Sequence, residues 1–324
     1  MARTIVAAAI ASMLAGPAAA QDWPTRPVTR VVPFTPGGGV DTGGRIMAPR
    51  LAELLGQQVI VENVSAGAGG MIGAARVAKA APDGYQILLG NSGTHSYNPT
   101  LYKRPLYNAV TDFDPVALVY RTSMVLFVGK NFPANTLPEF IAYARANQGK
   151  MQYGSAGAGS VSHIACVLVN AVAGLNVTHV PYRGVAPAMQ DLLGGRIDYM
   201  CNPISVSLGQ IEAGLVKPIA LLSPRRYDLA PNLATAVEQG LKDFDADSWA
   251  AFFVPKGTPA GIVARLARAT SDALDTPAVR QRYLEVGLRI PPTEQRSTEY
   301  LTRLVPADIE KWARPIKASG MSVE

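Results

Sequence analysis

Only two cysteines, Cys166 and Cys201, and three histidines, His95, His163 and His179, occur in the 324 residues. No two histidines stand at a metal-ligand spacing such as i, i+4, so neither a histidine metal site nor a disulfide-dense scaffold is encoded. Lysine and arginine outnumber the acids by 30 to 24, a net charge of +6. The basic residues are scattered, without a run and without interleaved aromatics, which argues against nucleic acid as a partner. Beyond the first twenty residues no stretch approaches about 18 unbroken apolar residues, so no membrane-spanning helix is expected. Periodic repeats and low-complexity segments are also lacking.

What is present begins with "MARTIVAAAIASMLAGPAAA". Arg3, the apolar stretch from Ile5 to Leu14, and the small pair Ala18 and Ala20 read as a secretory signal peptide cut after Ala20, before Gln21. No cysteine follows the cut, so a lipid anchor is not expected. An exported chain reaches an oxidising compartment, where Cys166 and Cys201 can form a disulfide. Two buried thiols are the alternative, because spacing alone does not give their distance.

Roughly 300 mature residues exceed what one core usually organises, which predicts two lobes. Short β-branched runs alternate with helical patterns, the signature of an α/β fold with parallel-rich sheets flanked by helices. Strands are predicted near 28–34, 58–64 and 85–90, with a helix capped by Asp41, apolar at Met47, Leu51 and Leu54, and ended by Gly56. A second set follows in "MQYGS", "NVTHVPY", "RIDYMCNP" and "KPIALLS". The apolar runs "SMVLFVGK" and "WAAFFVPKG" bracket that set and read as central strands on which the chain enters the second lobe and returns. After Thr258 the pattern is helical to the end and should pack back on the first lobe. The expected organisation is residues 21–122 plus 250–324 for one lobe and 123–249 for the other.

The segment "PFTPGGGVDTGGR" joins a strand to a helix through five glycines, a combination that suits an anion because free N–H groups and the helix dipole favour negative charge. The pentapeptide "SAGAG" occurs twice, at 65–69 and 155–159, each time between a strand and a helix. Neither loop has the Gly-Lys-Ser/Thr ending of a phosphate loop. Counting from Gly67 or Gly157, the sixth position is Ile72 or Ser162, so the dinucleotide fingerprint fails as well. Ser92 and His95 in "GNSGTH" stand outside a Gly-x-Ser-x-Gly elbow, which leaves a hydrolase built on Ser92 or Ser160 as the weaker alternative. His179 reads as a core or edge residue of a strand. Strand-to-helix loops rich in glycine, serine and threonine and nearly free of charge instead suit a small, releasable anion held in a crevice between lobes.

Seven blocks in order, among them "WPTRPVTRVVPFTPGGGVD", "LGQQVIVENVSAGAGGMIGAARVAKAAPDGYQILLG", "MQYGSAGAGSVSH" and "HVPYRGVAPAMQDLLGGRIDYM", resemble the TctC or Bug family. These are the extracytoplasmic solute-binding proteins of tripartite tricarboxylate transporters. The resemblance implies a two-lobe Venus-flytrap fold of the periplasmic binding-protein type, a periplasmic monomer that is not an enzyme, a small organic acid as ligand, membrane permease subunits as partners, and no cofactor or metal. A ligand-dependent sensor is the second reading within that class. Carried over to this sequence, the ligand contacts of the first lobe are Phe34, Thr35, Gly37 and Gly38, then Ala66, Gly67, Ala68, Gly69 and Gly70, and Thr94. The second lobe contributes Ser155, Ala158, Gly159, Ser160 and His163, with Arg183 and Gly184 on the next loop. Arg183 either pairs bidentately with a distal carboxylate or stays solvated at the cleft edge. Trp249 either lines the hinge or packs in a central strand.

Overall fold

The computed structural model describes residues 23–65, 68–319 and 322–323. The expected leader and cleavage site lie outside the described residues. Two five-stranded sheets organise the described residues. The first runs in the order β2 (Val59–Asn63), β1 (Val28–Val32), β3 (Gln86–Asn91), β10 (Ser248–Pro255) and β4 (Phe113–Thr122). The second runs β7 (Thr178–Pro181), β6 (Gln152–Ser155), β8 (Tyr199–Pro203), β5 (Met124–Gly129) and β9 (Val216–Leu221).

Both sheets are mixed. β1 is parallel to β2 and β3, and β6 to β7 and β8. β10 is antiparallel to β3 and β4, and β5 to β8 and β9. The antiparallel pairs fall on β5 and β10, the two strands through which the chain changes lobe. Such a strand arrives straight from the other sheet and needs none of the helical crossovers that parallel neighbours require. Every residue of β10 is buried, and so is β5 up to Gly129, because each is covered on both faces. β4 carries Pro115 and was not among the predicted strands.

Around the first sheet lie α1 (Gly39–Leu55), α2 (Met71–Ala78) and α3 (Asn98–Leu101), and around the second α4 (Leu137–Asn147), α5 (Val161–Ala173), α6 (Val185–Leu193) and α7 (Ile204–Glu212). The C-terminal helices α8 (Ala260–Asp275), α9 (Pro277–Glu285) and α10 (Thr298–Ala318) return to the first sheet, with α8 against β4 and α1, α9 against α1, and α10 against β4. α1 buries Val40, Met47, Leu51 and Leu55 at helical spacing and ends at Gly56, whose φ of 74° lets its N–H reach Ala52 O at 2.9 Å. Its N-cap is Gly38, not Asp41. Asp41 is the third helical residue and reaches back to accept from Gly37 N at 2.9 Å, one residue before the N-cap.

Cys166 of α5 and Cys201 of β8 form a disulfide with Cα atoms 5.3 Å apart, which ties helix to sheet in the second lobe. Between the lobes the chain is short. Only Ser123 separates β4 from β5, and on the return path Ala246 N donates to Leu222 O at 2.9 Å while Ser248 pairs with Thr122.

Candidate functional site

The carboxyl ends of the parallel strands from both sheets converge on one cavity of about 40 Å³. The turn after β1 supplies Phe34, Thr35, Gly38, Gly39 and Val40, and the end of β3 supplies Asn91. Tyr120 and Thr122 of β4 and Ser248 and Trp249 of β10 close the hinge side. From the second lobe come Ala156, Ser160, Val161 and Ser162 after β6, Gly184 and Val185 after β7, and Pro203 and Ser205 at the end of β8 and the start of α7.

None of these residues carries a charge. Four helices begin at the cavity wall: α1 after Gly38, α5 after Ser160, α6 after Gly184 and α7 after Pro203. Each first turn leaves backbone N–H groups without a partner in its own helix, and the four dipoles sum to a positive potential at the cavity. Three lining hydroxyls, Thr35 Oγ1, Thr122 Oγ1 and Ser205 Oγ, are buried and have no hydrogen-bond partner among the described residues. Buried hydroxyls are seldom left so, and here they face the same space as the helix starts. Ser160 is committed instead: it caps α5 by accepting from His163 N at 3.3 Å and donates to Gly157 O at 2.7 Å.

The loop that carries this site is held from behind. Asp41 accepts from Arg45 Nε at 2.9 Å, Gly37 N at 2.9 Å and Asn63 Nδ2 at 2.9 Å. Burial pushes its carboxyl up, but the bonds from Arg45, Gly37 and Asn63 outweigh that and hold it below the usual carboxylate range. Asn63 Nδ2 also donates to Phe34 O at 3.0 Å, so one side chain joins the turn after β1 to β2.

Of the residues anticipated as contacts, Phe34, Thr35, Gly38, Ser160 and Gly184 line the cavity. Ala66 and Gly67 lie outside the described residues. Gly69 faces the opposite lobe rather than the cavity, with Gly159 across the seam, and a Cβ on Gly70 would strike the Phe34 ring at 2.8 Å. Gly37 and Thr94 support the turns around them: Gly37 donates to Asp41, and Thr94 Oγ1 accepts from Asn91 N at 2.9 Å. Ser155, Ala158 and His163 stand behind the wall, His163 Nδ1 accepting from Gly159 N at 3.1 Å. Arg183 is exposed and is not part of the lining. Tyr120, Thr122 and Ser205 had not been anticipated as contacts, whereas Trp249 had been weighed as hinge lining or strand packing. The first two sit on the unforeseen strand β4, and Trp249 both lines the cavity and donates from Nε1 to Asp308 Oδ2 at 2.8 Å.

The residues considered for hydrolysis are not arranged as nucleophile and base. Ser92 Oγ pairs with Ser248 Oγ at 3.1 Å and accepts from Trp249 N at 3.0 Å. His95 bonds Thr94 Oγ1 through Nδ1 at 2.9 Å and stacks on Phe253 with ring centroids 3.7 Å apart, and burial pulls it down to about 3. A serine hydroxyl meets a histidine ring at Ser155 Oγ and His179 Nε2, 2.7 Å apart, but this pair is behind the lining, where His179 stacks on His163 at 3.9 Å. No group of three or more His, Cys, Asp or Glu among the described residues could hold a metal ion.

Residues 44–321 match the model of the tripartite tricarboxylate transporter family receptor. The chain belongs to that family. Its members are periplasmic binding proteins, and the fold agrees with solved structures of several. MatC from Rhodopseudomonas palustris with bound malate is 39% identical and superposes with a TM-score of 0.88 over 91% of this chain and 100% of that one. The periplasmic binding protein BugD is 37% identical, with a TM-score of 0.89 over 93% and 100%. Rpa4515 of R. palustris with adipate is 34% identical, with a TM-score of 0.88 over 93% and 99%.

Proposed function

We propose that this tripartite tricarboxylate transporter receptor is exported to the periplasm, closes its two lobes on a small organic carboxylate and delivers it to the permease subunits of its transporter. The observation that carries the reading is the cavity itself: no charged side chain in its lining, four helix starts, and three buried hydroxyls without partners among the described residues. A carboxylate buried there needs donors for each oxygen, and those groups supply them. An ion held by neutral dipoles is also released more readily than one clamped by arginine, which suits a carrier. The malate and adipate bound in MatC and Rpa4515 support an aliphatic acid. Conversion of the ligand has no support, because among the described residues no paired nucleophile and base line the cavity.

A thermal-shift screen of the mature protein against mono-, di- and tricarboxylates, aromatic acids, amino acids and nucleotides tests the reading. A ligand at a hundredfold excess over its Kd adds about 2.7 kcal/mol, a rise on the order of 5 °C in Tm. A rise with an acid that is recovered chemically unchanged is the expected result. A rise with nucleotides alone, or turnover of the acid, would refute it.

A further inference from the structure

Arg30 occupies the middle of β1 with its side chain wholly buried, and none of its three guanidinium nitrogens meets a hydrogen-bond acceptor among the described residues. The head lies beneath α1, where a Cβ on Gly44 would stand 3.3 Å from both Cζ and Nη2, and the Phe252 ring centroid is 5.9 Å from Cζ. Polar neighbours are engaged elsewhere. Tyr283 donates to Gly43 O at 2.9 Å and Tyr120 to Gly39 O at 3.2 Å. Asp41 is bound to Arg45, whose charge opposes much of the carboxylate's pull on Arg30, and Arg30 has no ion-pair partner of its own among the described residues. Burial pulls Arg30 down only to about 10, so it stays charged at neutral pH.

Folding alone does not account for such a residue, since an unpaired buried charge disfavours the folded state and an apolar side chain of similar volume would fit better. The cleft does account for it. Tyr120, which lies within the field of the guanidinium, and Gly39, to which Tyr120 is bonded, both line a cavity that has no charge of its own. We propose that Arg30 is the electrostatic selectivity residue of the cleft, a positioning residue that never touches the ligand but whose unpaired charge, set behind Tyr120 and under the second turn of α1, favours anions. The inference rests on the carboxylate-binding reading above. With an effective interior dielectric of about 20, a charge just behind the wall is worth roughly tenfold in affinity for each ligand charge.

The test is calorimetry at pH 7 with the mature protein and the tightest binder among malate, succinate, adipate, citrate and benzoate. Arg30→Met and Arg30→Gln remove the charge by two different side chains, and Arg30→Lys keeps it. Both neutral variants should bind the acid at least about tenfold more weakly, Arg30→Lys should stay within about threefold of wild type, and ligand-free Arg30→Met should melt no lower than wild type. Wild-type affinity in a neutral variant would overturn the inference, as would an equal loss in Arg30→Lys or failure of both neutral variants to fold, which would assign Arg30 to the core. If the wild type binds none of the five acids, the functional reading itself falls and this inference with it.

Discussion

Gly69 and Gly159 meet across the seam between the lobes: a Cβ on Gly69 would stand 2.8 Å from the carbonyl carbon of Gly159 and 3.0 Å from its Cα. They are the last residues of the two "SAGAG" copies, so the ends of the two loops meet where the lobes touch. Next to it Tyr102 of the first lobe donates from its hydroxyl to Ala158 O of the second at 2.9 Å. Tyr102 is outside the cavity lining, so its bond stabilises closure without touching a ligand. Tyr102→Phe should therefore weaken every ligand by the same factor, about 2- to 10-fold for one net hydrogen bond. Affinities for three chemically different acids, measured side by side, check this; a loss confined to one of them would assign Tyr102 to selectivity instead.

Arg183 gives the opposite expectation. It is exposed and absent from the lining, while the adjacent Gly184 touches Thr35 of the other lobe so closely that a Cβ there would overlap the threonine side chain. Arg183→Ala should leave Kd within about twofold for mono- and dicarboxylates alike, the range of a solvated charge. Gly184→Ala should abolish tight binding. A large loss in Arg183→Ala confined to dicarboxylates would restore the bidentate role.

Acid should destabilise the fold through the three histidines. Burial pulls His95 and His163 down to about 3, His163 with a further contribution from His179, and pulls His179 down to about 4. Their unfolded values are about 6.5. The folded state keeps all three neutral while the unfolded chain takes up protons, so stability is full above about pH 7 and is lost as pH falls from about 6.5 towards 4. Denaturation midpoints across that range should fall steadily. His95→Phe, which keeps the stack on Phe253, should make the decline shallower by about one proton. An unchanged slope in the variant would show that His95 is protonated in the fold.

The disulfide closes a span of 35 residues inside the second lobe. Loop-closure entropy puts its contribution at about 4 kcal/mol. Cys166→Ala with Cys201→Ala should lower Tm markedly and leave Kd almost unchanged, because neither sulfur lies at the cavity. Equal Tm with and without the bond would contradict this.

The sequence pattern carried the alternation of β1, β2 and β3 with helices, the two crossing strands and the glycine turn that opens α1, because each depends on local periodicity or turn chemistry. β4 was hidden by Pro115 and by the charged residues at its ends, and with it went Tyr120 and Thr122. Ser205 ends "CNPIS", one of the strand-to-helix loops expected at the crevice, yet it was not singled out as a contact. A hydroxyl becomes a site residue only when the opposite lobe buries it, and nothing local to "CNPIS" encodes that burial. Arg30 was invisible in the same way: within "VTRVV" an arginine reads as an outward-facing strand residue, and only the packing of α1 above β1 shows that it points inward.

The claim at the centre of this account is that neutral dipoles and hydroxyls, with no charged contact, hold a carboxylate. It is tested most directly by the Kd of wild-type protein for the tightest-binding acid of the screen and for its amide, measured by calorimetry at pH 7. The account predicts that the acid binds at least about a hundredfold more tightly than the amide, since four helix starts favour negative charge. Equal affinity for acid and amide would contradict it.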